Sequence, residues 1–107
     1  MAILREHALA SFRARLRSHL CDYLAKSGKQ NEEAVVEKHM DIVLERAPRF
    51  RMNRECDIAR LLEIACLYLE PDRRVWDSKR LIRILAEYDV DTEQRLALFE
   101  EWAARHA

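Results

Sequence analysis

A chain of 107 residues is long enough to enclose one modest hydrophobic core, and a single domain over residues 1–107 is expected. Half of the residues are hydrophobic and 36% are charged, with one Gly and two Pro, a composition that favours helix and excludes most glycine-built nucleotide loops. Nineteen basic and nineteen acidic side chains cancel, so no global field draws the chain to nucleic acid or to an anionic membrane, and a protein is the expected partner.

Apolar residues at Leu9, Phe12, Leu16, Leu20, Tyr23 and Leu24 recur in steps of three and four, which predicts an amphipathic helix over Ile3 to Leu24. Its end is placed near Ser27-Gly28, since Gly enters the left-handed conformation that closes helices. After the polar stretch Lys29-Gln30-Asn31, Asn31 is the expected cap of a second helix, with Glu32 and Glu33 complementing its dipole. Pro48 stops that helix near Ala47, and Arg49 to Met52 reads as a short connection.

Asn53 is the expected cap of a third helix, Arg54 to Leu69. Its apolar arc of Ile58, Leu61, Leu62, Ile64, Ala65, Tyr68 and Leu69 is wide enough for a central position. Glu70 to Arg74 is a loop, and Asp77 is expected to cap a fourth helix through Tyr88, with Leu81, Ile82, Ile84, Leu85 and Tyr88 facing inward. Asp91 and Gln94 have the spacing of a capping box opening a last helix with the stripe Leu96, Phe99 and Trp102. The fold class is therefore an all-α bundle of about five helices.

The residues that could carry chemistry do not assemble into a site. His7, His19, His39 and His106 are scattered, no HExxH occurs, and Cys21, Cys56 and Cys66 lack zinc-ligand spacing, so no catalytic centre, metal or cofactor is expected. Their odd number and wide spacing fit reduced thiols, with Cys56 and Cys66 read as small buried hydrophobes. The start of the chain lacks a basic stretch followed by an apolar run, and no segment approaches a membrane span, so a cytoplasmic location is expected.

Arg5, Arg13, Arg15 and Arg17 make the first helix basic, but at about 100° per residue they spread around it and form no groove-reading face. On the second helix, His39 and Arg46 fall inside the apolar arc marked by Val35, Val36, Ile42 and Val43. A buried charge needs a partner, so Arg46 is expected either to pair with Glu55 or Asp57 or to lie in a partner-facing notch with His39. Trp76 and Trp102 are read as core-edge aromatics and as candidate anchors for a partner. Leu67 and Leu98 fall off the main apolar faces.

In order, Leu9-Ala10-Ser11-Phe12 through Leu20, Leu44-Glu45-Arg46-Ala47 and Phe50 lead to Asn53-Arg54-Glu55-Cys56-Asp57-Ile58-Ala59-Arg60-Leu61-Leu62. Trp76, Ile84-Leu85 and Glu93-Gln94-Arg95-Leu96 leading to Trp102 follow. This series resembles a group of small helical proteins encoded beside the spike genes of bacterial type VI secretion systems, near VgrG, PAAR and toxin-effector genes. The group carries Gly just after the aromatic at Phe50, where this chain has Arg51, and a Phe-Gly-rich loop before the Trp, where this chain has Cys66 to Pro71. The resemblance implies a non-enzymatic adaptor or chaperone-like protein that binds an effector or a VgrG/PAAR spike component. The alternatives are an immunity protein that neutralises a cognate toxin and a small helical DNA-binding regulator using the basic first helix; whether the chain forms a homodimer is left open.

Overall fold

The computed structural model describes residues 2–29 and 32–106, and side chains from residue 10 onward within those ranges. Among the described residues there is no strand: α1 (Ala2–Ser27), α2 (Glu33–Arg46), α3 (Glu55–Tyr68), α4 (Arg73–Trp76), α5 (Lys79–Leu85) and α6 (Thr92–His106) are joined by loops and a 3-10 turn, Ala47–Phe50. The radius of gyration, 13.6 Å, is close to the roughly 13 Å of a compact domain of this length, so the helices form one globule. No described helix is long and apolar enough to cross a membrane.

The wide apolar arc of α3 places it at the centre, where it packs against α1, α2 and α6. Ile58, Leu61, Leu62, Ile64, Ala65 and Cys66 are buried on it, and Leu16, Leu20 and Leu24 of α1 and Val36, Met40 and Val43 of α2 close over them. The Leu96, Phe99 and Ala103 face of α6 covers the other side, and α5 lies on α6.

Helix ends follow local chemistry. Gly28 has φ 75°, and Lys29 N–H reaches back to the Leu24 carbonyl at 3.1 Å, which closes α1 as the Gly predicts. The 3-10 turn closes on Arg51 at φ 57°, a conformation that costs a residue with a Cβ roughly 1–2 kcal/mol. It is the position at which the secretion-associated proteins named above carry Gly. Arg51 is held there by its N–H to the Pro48 carbonyl and by its guanidinium over the Tyr88 ring, 4.2 Å from the centroid. The Asp91 carboxylate accepts from Gln94 N–H at 3.0 Å, forming the side-chain half of the expected capping box.

Several local expectations are corrected. Asn31 lies outside the described residues, and the N-cap position of α2 is Glu32. The N-cap of α3 is Arg54, with no side-chain cap, so Asn53 does not fill that role. The expected fourth helix is shorter, ending at Leu85 rather than Tyr88, and an additional short helix, α4, forms before Asp77 where loop is expected. Asp72 caps α4 by accepting from Arg74 N–H, and α5 begins after Ser78 because Asp77 is drawn away into an ion pair with Arg46. With α5 ending at Leu85, the i, i+4 pair Leu81 and Leu85 is buried and Ile84 packs half-buried against the core as expected, whereas Ile82 and Tyr88 are exposed rather than inward. Cys56, at the start of α3, is exposed, whereas Cys66 is buried.

Burial pushes the Cys66 thiol up to about 12, against a weaker lowering by the Lys29 ammonium. Ellman's reagent at pH 8 is therefore expected to titrate Cys21 and Cys56 in the native protein and Cys66 only after denaturation. Fast modification of all three thiols without denaturant would show that the α3 C-terminal end is not packed as described.

Candidate functional site

The side chains singled out from sequence separate into buried and available ones. Trp76 is fully buried, in contact with Phe99 at a ring-centroid distance of 5.6 Å, so it has no surface to offer a partner. His39 is buried as well, and among the described residues its Nδ1 has no hydrogen-bond partner. Neither side chain presents surface in this structure.

Arg46 donates from Nη1 to the Asp77 carboxylate at 2.7 Å, which ties α2 to the α4–α5 junction. The expected pair with Glu55 or Asp57 is not formed: Glu55 accepts from Arg15 at 2.8 Å, and Asp57 lies 3.9 Å from Arg54. Chain proximity misled here, because the face of α2 that bears Arg46 is turned toward the α4–α5 junction.

Burial lowers the pKa of His39 from 6.5 to about 4, with the Lys29 ammonium acting in the same direction. The imidazole is neutral in the native state over a range where the unfolded chain takes up a proton, so the unfolded form binds more protons and acid destabilises the fold. The contribution is whole above pH 6.5, falls from there, and by about pH 4 amounts to a loss of roughly 3 kcal/mol. Urea unfolding of the wild type and His39→Leu across that window checks this: the variant should lose less stability on acidification by roughly that amount. Equal pH dependence in both proteins would contradict the assignment.

The basic first helix has no free cationic face among its described arginines. Arg13 contacts Glu37 and Asp41, each at 2.9 Å, Arg15 contacts Glu55, and Arg17 pairs with Glu37. Each guanidinium is answered by a carboxylate of α2 or α3, an arrangement that opposes phosphate binding on this helix.

A second polar set joins α1, α3 and α6. Glu63, buried on α3, lies 2.5 Å from His19 Nε2 and accepts from Arg60 at 3.1 Å, and Arg60 donates to Glu100 of α6 at 2.7 Å. Arg60 also reaches the Tyr23 hydroxyl at 3.4 Å. The Arg60–Glu100 bridge joins two of the residues that line the cleft of about 660 Å³ between α3 and α6. Glu63 was not anticipated from sequence, since it sits at the edge of an apolar arc that is otherwise free of charge.

Open grooves include one of about 570 Å³ between α1 and α2, lined in part by Leu24 and Val36, and one of about 420 Å³ between α5 and α6; the second has Ile84, Leu98 and Trp102 among its lining residues, with Arg80 and Arg105. Trp102 is half-buried and lies on a run of rings that begins in the core. Phe99 is 6.2 Å away on the inner side and His106 is 4.9 Å away on the outer side. Leu98 is 43% exposed, one of the few large apolar side chains left in solvent. Among the described residues no cluster of His, Cys, Asp and Glu is arranged to hold a metal ion.

No family model, curated protein or solved structure matches this chain. The geometry of the groove and the sequence segments quoted above are therefore what a functional reading is built on. Of the residues anticipated as partner contacts, the structure places Trp102 at this groove and moves Trp76, His39 and Arg46 elsewhere.

Proposed function

We propose that this chain is a non-enzymatic docking module that holds a partner protein in the α5–α6 groove. Its expected role is that of a cytoplasmic adaptor or chaperone-like accessory of a bacterial type VI secretion system. The observation that carries the docking reading is the pairing of an exposed Leu98 with a Trp102 ring braced on the core. A rigid half-buried aromatic beside a solvent-facing aliphatic side chain loses little conformational freedom when covered, and such residues dominate binding at protein interfaces. The assignment to secretion is supported by the order of segments from Leu9 to Trp102 that resembles the accessory proteins encoded near VgrG and PAAR.

The test is co-expression with each spike and effector product encoded beside this chain's own gene. One of them is expected to stay bound through size-exclusion chromatography. If all of them separate cleanly from the chain, the adaptor reading fails.

A further inference from the structure

The helix that forms one wall of this groove is unusually basic for a chain without net charge. In the seven residues of α5, Lys79, Arg80 and Arg83 are all exposed, and among the described residues no carboxylate pairs with any of them. Acids of the preceding segment and of α6 are engaged elsewhere: Asp72 by Arg74, Asp77 by Arg46 and Glu101 by Arg105. By contrast, Arg13, Arg15, Arg17, Arg60 and Arg73 each hold a carboxylate. Arg80 lines the groove together with Ile84, Leu98 and Trp102, and Lys79 and Arg83 lie on the same helix.

Resting on the docking reading above, we propose that the occupant of the α5–α6 groove is an amphipathic helix of a partner protein whose apolar stripe is flanked by Glu or Asp. The apolar side chains take the stripe, and Lys79, Arg80 and Arg83 meet the flanking carboxylates. Arg80 and Ile84 are one turn apart, so a charge and an apolar contact repeat on the pitch of a docked helix. An aromatic and aliphatic lining favours this occupant over nucleic acid, which needs cations across its contact surface. A second copy of the chain is disfavoured because α2, α3 and α6 bury their apolar stripes in their own core.

Two synthetic peptides of about 16 residues, roughly four helical turns, with the same Leu stripe provide the test, one flanked by Glu and the other by Lys. Each is titrated into ¹⁵N-labelled protein at low salt while the Trp102 indole N–H is followed. The Glu peptide is expected to shift Trp102 and to bind roughly tenfold more tightly than the Lys peptide, an advantage that shrinks as salt is added. The exposed double variant Arg80→Glu, Arg83→Glu, with its melting temperature checked, should invert the order. Equal binding of both peptides with a Trp102 shift overturns the charge assignment and leaves the docking groove standing. Silence of Trp102 with both peptides overturns the groove as well. Tighter binding of a short DNA duplex than of the Glu peptide overturns the choice of partner.

Discussion

Replacing Trp76 with alanine is expected to remove about 4 kcal/mol of stability, a large part of what a domain of this size has. The indole is fully buried and is the largest side chain enclosed in the core. It also anchors an element that cannot stand alone: α4 has four residues, held by the Asp72 cap, the Arg73–Glu45 ion pair, half-buried Val75 and the contact of Trp76 with Phe99. Without the ring, α4 loses its one fully buried side chain, and the Arg46–Asp77 pair loses the support next to Asp77. Trp76 Nε1 has no hydrogen-bond partner among the described residues, a cost already present in the native state. Trp76→Phe, which discards that N–H and keeps a ring, should therefore cost no more than about half as much as alanine. Urea midpoints of both variants check this, and a Trp76→Ala loss below about 1.5 kcal/mol would show that the ring is not enclosed as described.

Arg95→Met is expected to cost about 3–4 kcal/mol, because it leaves two buried acceptors without a donor. Arg95 is 5% exposed, and its Nη1 donates to the Phe50 carbonyl at 2.9 Å and to the Leu85 carbonyl at 2.6 Å. These are the last carbonyls of the 3-10 turn and of α5, where helical C-termini concentrate partial negative charge. A guanidinium is tolerated there without a carboxylate because it satisfies two helix ends at once. Nη2 donates to Thr92 Oγ1 at 3.0 Å, and the Tyr88 ring lies 5.7 Å from the guanidinium carbon. Arg95→Lys keeps the charge and loses the fork, so it should recover less than half of the lost stability. Urea unfolding is the readout. If methionine is tolerated within about 1 kcal/mol, Arg95 is not what joins the two helix ends to α6.

Sequence periodicity revealed the long helices because each buries one apolar stripe: α1, α2, α3 and α6 lie close to where their patterns put them. The helix expected from Asp77 through Tyr88 forms as α5 but stops at Leu85, and α4 takes shape in the stretch before Asp77 that reads as loop, where Asp72 supplies a cap. The expected cap at Asp77 is lost for a tertiary reason, its pairing with Arg46. Arg95 was passed over although it lies four residues before Phe99, on the same face of α6, and a charged residue within an apolar arc is the signal that had drawn attention to His39 and Arg46. Its partners are backbone carbonyls, which no residue-type pattern reveals. The groove itself is only half legible. Trp102 is a candidate anchor from sequence and Leu98 merely falls off the main apolar face, and the unmatched cations of α5 become visible only once the neighbouring carboxylates have been traced to their partners.

The measurement that tests the proposed docking role most directly is the affinity of the wild type and Leu98→Asp for whichever co-expressed spike or effector product stays bound to the chain. Leu98 is exposed, so the variant should melt within a few degrees of the wild type, and a buried aspartate in the interface should weaken binding by roughly a hundredfold. Unchanged affinity in a folded Leu98→Asp protein would contradict the assignment of the α5–α6 groove.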